Sequence, residues 1–121
     1  MVRRCAVVLD NGIRLTFEQF VKIFRAVGGE PEFRVYFRGT DNEYMIIKYD
    51  DHVSFQRCGV KNGSGEMDFK DIDTLYHAET IDGICLERDW ENISEIVVDG
   101  WYSLSVKDDL QTLCDEHGIT L

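Results

Sequence analysis

Phe33–Cys58, FRVYFRGTDNEYMIIKYDDHVSFQRC, is the stretch that decides the fold. It begins with a clean alternation. Phe33, Val35 and Phe37 point one way and Arg34, Tyr36 and Arg38 the other, the two-residue period of a half-buried strand. Gly39-Thr40-Asp41-Asn42 is a turn, Glu43 to Tyr49 a second strand, Asp50-Asp51 another turn, and His52 to Cys58 a third strand. Three strands with such short connections predict an antiparallel meander. The phase of the second strand stays open: either Met45, Ile47 and Tyr49 face the core, or Tyr44 and Ile46 do.

Before the meander, Thr16 fits a helix N-cap, with Gln19 three residues on to close a capping box. Phe17, Phe20, Val21, Phe24 and Val27 follow at spacings of three and four, an apolar helical stripe that Gly28 and Gly29 end. Lys22 and Arg25 face away and suit the negative end of the helix dipole. Earlier still, Cys5–Leu9 reads as a short strand and Asp10-Asn11-Gly12 as a turn, with Ile13-Arg14-Leu15 as a returning arm.

After the meander, Gly59–Gly65 is almost without apolar groups and reads as a loop. Glu66–Phe69 resumes the sheet. Phe69, Ile72, Leu75 and Tyr76 have helical spacing, with Asp68 as the expected cap and Asp71 in the first turn. Arg88–Asn92 suggests a helical turn, Ile93–Val98 a strand, and Asp99-Gly100 a tight turn. A closing helix is expected from a Ser105 cap, with Val106, Leu110, Leu113 and Cys114 buried and Gly118 as its stop. No composition break divides the chain. The expectation is one α+β domain over residues 1–121. A small mixed or mostly antiparallel sheet of about five strands, with a central meander, is packed by an N-terminal helix, a short middle helix and a C-terminal helix.

Charge is the other strong signal. Thirteen basic and 23 acidic side chains give a net of -10, distributed as +3 over residues 1–40, -10 over 41–100 and -3 over 101–121. Such a field repels nucleic-acid phosphates and anionic membranes and attracts basic protein surfaces. Arg34, Tyr36 and Arg38 on one strand face could hold a phosphate and stack a base, but the overall charge opposes nucleic acid at long range. No apolar run approaches the roughly 20 residues of a membrane span, and the N-terminal apolar run is too short for a signal peptide. Cys5, Cys58, Cys85 and Cys114 are scattered, the pattern of reduced thiols rather than a disulfide scaffold. These features suggest a cytoplasmic protein.

Motifs for chemistry are scarce. His52 with Asp50, Asp51 and Cys58, and His77 with Asp73 and Glu79, lack the short ligand spacings of zinc sites. Asp68, Asp71 and Asp73 lack a calcium loop. Gly63-Ser64-Gly65 is no phosphate-binding motif. No nucleophile signature surrounds any cysteine or serine. The reading therefore assigns no catalytic residue, metal or cofactor, and leans away from an enzyme.

The expected function is a non-catalytic acidic protein that binds, and inhibits, a partner with a basic surface of the kind that grips nucleic acid, such as a nuclease. Phage countermeasures, antitoxins and immunity proteins use this physics. The candidate interface comprises Asp50, Asp51, Glu66, Asp68, Asp71, Asp73 and Glu79, with Trp90, Trp101 and Tyr102 as aromatic anchors. Either tryptophan fits a core position equally well. Direct nucleic-acid and membrane partners are not expected; a homodimer through a sheet edge is compatible. The alternative is a small enzyme or ligand-binding domain using acidic and His/Cys side chains.

Overall fold

The structure is a computed structural model and describes residues 15–59 and 65–121. The expected Cys5–Leu9 strand, the turn after it and most of the Gly59–Gly65 loop lie outside the described residues.

Helix α1 (Phe17–Ala26) starts at a reciprocal capping box. The Gln19 amide donates to the Thr16 hydroxyl at 3.2 Å, and the Thr16 amide to the Gln19 side chain at 3.0 Å. Its other end is closed by a side chain from the sheet. The Lys48 ammonium donates to the carbonyls of Phe24, Arg25 and Val27 at 2.8, 3.2 and 2.9 Å. This supplies both charge and partners to carbonyls that a helix end leaves unpaired.

The meander forms as β1 (Glu32–Phe37), β2 (Glu43–Lys48) and β3 (Val53–Arg57). With β4 (Glu66–Phe69), β5 (Ile93–Val98) and the two-residue β6 (Tyr102–Ser103), it makes a six-stranded antiparallel sheet of order β4-β3-β2-β1-β5-β6. The register settles the phase of β2. Val35 lies opposite Tyr44 and Phe33 opposite Ile46, so Tyr44 and Ile46 join the core while Met45 and Ile47 turn to the other face. Tyr44 is fixed there by an edge contact with Phe37 and a parallel stack on Phe55, at 5.6 and 5.7 Å between ring centroids.

Helix α2 (Ile72–His77), a 3₁₀ turn at Ile81–Gly83, the short α3 (Leu86–Asp89) with a further turn at Trp90–Asn92, and α4 (Lys107–His117) complete the described elements. Their buried side chains, with those of α1, join Phe33, Val35, Phe37, Ile46, Phe55, Ile96 and Val98 in one hydrophobic core. The described helices therefore share one face of the sheet. An aromatic group fastens them: Phe17 stacks on Tyr76 at 3.6 Å, and the edge-on Trp90 ring lies 5.5 Å from Phe17. The Trp90 indole N–H finds the Leu15 carbonyl at 2.9 Å.

Several local expectations are corrected. The cap of α2 is Asp71, whose carboxylate accepts from the Thr74 amide at 2.8 Å; Asp68 instead belongs to β4. Ser105 does not cap α4: the hydroxyls of Ser103 and Ser105 bond each other at 2.9 Å, and Asp109 reaches back to the Ser103 amide at 3.0 Å. Val106 precedes the helix and is exposed, while Leu113 and Cys114 are buried as expected. The Asp99-Gly100 turn forms with both residues at positive φ, 51° and 76°, as a tight hairpin requires. Among the described residues no helix is long and apolar enough to cross a membrane.

Candidate interaction surface

Three regions receive the residues that the sequence singles out. The first is the sheet face opposite the helices. Cross-strand partners share a face. The pairs Arg34–Met45, Met45–Gln56, Gln56–Glu66, Ile47–Ser54 and Ser54–Asp68 therefore lie together, continued by Arg34–Val97 and Tyr36–Glu95. Glu66 and Asp68 are on this face, at the β4 edge, and exposed. Glu32, Glu43 and Glu95 join them. The unresolved phase of β2 is what hid this grouping in the sequence.

A hydrogen-bonded network occupies the face. The Tyr36 hydroxyl donates to one Glu43 oxygen at 2.5 Å and the Arg34 guanidinium to the other at 2.8 Å. The bond to Glu43, aided by burial, pushes the Tyr36 phenol up to about 12. The same bond, followed by the charge of Arg34, outweighs burial and lowers Glu43. Further along, Ser103 donates to Glu95 at 2.6 Å. Burial and Glu43 raise the Cys58 thiol, so it stays protonated and weakly nucleophilic.

The second region is a cleft of about 260 Å³ at one end of the molecule, where the β2–β3 turn meets the end of α1 and the start of α2. It brings together Asp50, Asp51, Asp71 and Asp73, but with Arg25, Lys48, His52 and Lys70 among them. Three of these carboxylates have local partners. Asp51 lies 2.6 Å from the His52 imidazole, whose ring stacks on Tyr49 at 4.5 Å. This pairing raises His52 and lowers Asp51. Asp71 caps α2 and is lowered by its bonds to Thr74. Asp73 lies 4.0 Å from Arg25, an exposed pair of small energetic weight. The cleft is thus mixed in charge rather than an open anionic patch.

The third region is the β5–β6 hairpin. Trp101 follows the turn and is 80% exposed. Its neighbour Tyr102 is half-buried and donates to Glu116 of α4 at 2.8 Å. Asp109 and Glu116 bring the acidic side of α4 against this hairpin. Trp90, by contrast, is 6% exposed and lies in the core, which removes it as a surface anchor. Glu79 stands apart from all three regions, exposed and 3.8 Å from Arg88.

Set beside protein-family models, curated proteins and solved structures, the chain matches none of them.

Proposed function

We propose that this chain is a non-catalytic binding protein whose partner presents a basic surface, of the kind that proteins acting on nucleic acid use to hold phosphates. The observation that carries the reading is Trp101. A large apolar ring left 80% exposed at the tip of a tight hairpin is costly to leave in water and well placed to enter a pocket. Around it stand Tyr102 with its Glu116 partner, and Asp109. An aromatic anchor with a charged rim is the usual anatomy of a protein interface. The net charge of -10 supplies steering toward a basic partner and excludes nucleic acid from the same surface.

The compartment proposed is the cytoplasm, in keeping with free thiols at Cys58, Cys85 and Cys114. Inhibition follows if the basic surface so covered is the partner's own nucleic-acid groove. A homodimer would form through β4, the longer of the two edge strands among the described residues.

The test is affinity capture from nuclease-treated lysate, run with the natural chain and with Trp101→Ala. Under this reading one basic protein is retained at low salt, released by high salt, and lost with Trp101→Ala. Retention that is indifferent to both salt and Trp101 would remove the proposal.

A further inference from the structure

We propose that Trp101 receives an arginine side chain of the basic partner, the guanidinium lying flat on the indole; this names the group recognised in the binding function proposed above and rests on it.

The ring sits on a stiff support. The Trp101 amide donates to the Val98 carbonyl at 2.9 Å, and the Asp99 amide to the Glu32 carbonyl at 2.8 Å. The Asp99 carboxylate in turn accepts from the Glu32 amide at 2.8 Å. These bonds fasten the hairpin tip to itself and to the start of β1, so little backbone freedom is left to lose on binding.

Apolar company is thin along the hairpin. Asp99 and Gly100 precede the ring, and Tyr102 is half-buried with its hydroxyl spent on Glu116. The next exposed large apolar side chain along the chain is Val106, five positions on. A docking patch that works by hydrophobic burial gathers several such side chains. A single exposed indole has another use, because the negative face of its ring attracts a cation more strongly than that of any other aromatic side chain.

The carboxylates beside the hairpin are held in place without being neutralised. Glu95 accepts from the Ser103 hydroxyl at 2.6 Å, Asp109 from the Ser103 amide at 3.0 Å, and Glu116 from the Tyr102 hydroxyl at 2.8 Å. Asp99 likewise uses an amide. Every one of these donors is uncharged, and among the described residues no ion pair reaches any of the four acids. Each keeps its charge and has lone pairs left for further donors. Tyr102 and Ser103 are successive strand residues and point to opposite faces, so the anchored acids flank the hairpin on both sides. Residues 93–118 hold six carboxylates against one lysine, Lys107.

This combination selects the ligand. Nucleic acid could stack a base on the ring, but its phosphates are repelled. A lysine ammonium is attracted, yet it is compact and strongly hydrated. A guanidinium is planar and weakly hydrated, stacks on an indole, and keeps its N–H edge free for carboxylates.

The test is a nuclear magnetic resonance titration of the natural chain with hexa-arginine, with hexalysine and the uncharged hexacitrulline as controls. Hexa-arginine is expected to shift the Trp101 indole N–H resonance, to leave that of buried Trp90 in place, and to show cross-relaxation between arginine δ-methylene protons and the Trp101 ring. Hexalysine should bind more weakly at equal ionic strength, and hexacitrulline not at all. Trp101→Leu should weaken hexa-arginine about two- to fivefold, the worth of an exposed cation–π contact, and Trp101→Phe by less. Equal affinity for the arginine and lysine peptides, no loss with Trp101→Leu, or arginine contacts confined to other acids such as Glu66 and Asp68 would each overturn the proposal. The capture experiment separates it from the reading beneath it. Capture that needs Trp101 while no arginine meets the ring would sink the arginine site and keep the binding function; arginine contacts without any captured basic protein would do the reverse.

Discussion

The Tyr44 hydroxyl donates to the Asp82 carboxylate at 2.7 Å, tying a central strand to a connector 38 positions later in the chain. Arg57 of the neighbouring strand reaches the same carboxylate at 3.1 and 3.3 Å. Asp82 makes these bonds from a left-handed backbone, φ 59°, followed by Gly83 at 76°. Asp tolerates that conformation better than most side chains. Asp82→Ala removes every one of these bonds and adds backbone strain. A loss of about 1–3 kcal/mol is expected. Asp82→Asn, which keeps the turn preference and one acceptor, should lose less. Urea unfolding of the two variants checks the order; equal midpoints for Asp82→Ala and the natural chain would show that the clamp contributes nothing.

The two tryptophans should separate cleanly in solution. Trp90 packs against Phe17, Phe20 and Tyr76 and spends its N–H on Leu15. Truncation to Ala is expected to cost about 3–5 kcal/mol. Trp101→Ala, at an exposed position, should stay within about 0.5 kcal/mol of the natural chain. Fluorescence gives the independent reading. Trp101→Phe should leave blue-shifted emission that acrylamide quenches poorly, and Trp90→Phe the reverse. Equal quenching in the two variants would contradict the burial assigned to them.

Legibility of the sequence followed the locality of the forces. Thr16 and Gln19 satisfy each other within one helical turn, so the start of α1 is readable from four residues. Asp99-Gly100 carries its turn in its own backbone preferences. The alternation Phe33, Val35, Phe37 announces a covered strand because its other face is polar. In β2 the run Met45-Ile46-Ile47 is apolar on both faces, and only the distant rings of Phe37 and Phe55 select Tyr44 for the core. Strand β6 is two residues long and owes its existence to pairing with Val97 and Val98. The same limit governs the candidate surface. Trp90 and Trp101 have equally acidic or turn-like neighbours in sequence, and only long-range packing buries one and exposes the other.

Lys48 shows how far such a non-local contact can reach into a helix. Its ammonium bonds three carbonyls at the end of α1 and lies 5.6 Å from the Phe24 ring centre. Burial lowers its affinity for a proton, but the three acceptors occupy all three of its donors. Lys48→Met keeps the stem and removes the donors. A loss of about 1.5–3 kcal/mol is expected, with faster amide exchange concentrated at Val27, whose N–H bonds to Ile23 in the last turn of α1. Exchange that rises equally in α1 and α4 would mean that Lys48 acts on the whole fold and not on this helix end.

The Tyr36–Glu43 bond should be visible at both ends of the pH scale. Tyr36 is raised from 10.0 to about 12, chiefly by its bond to Glu43. The folded protein then holds this proton more tightly than the unfolded chain. The stabilisation is fully present below pH 10.0 and is lost as pH rises through about 12. Glu43 moves the other way, lowered from 4.5 chiefly by the same bond. Its contribution is present above pH 4.5 and fades as pH falls through the lower folded value. Tyr36→Phe removes the shared bond. The stability difference between the two proteins should therefore be largest between these limits and shrink on either side. A spectrophotometric titration of the five tyrosines offers a second reading, since Tyr36→Phe should delete an ionisation near 12 while the rest of the curve is preserved. A titration curve whose alkaline end is unchanged by the substitution would show that Tyr36 ionises with the others and that the bond to Glu43 is not held in solution.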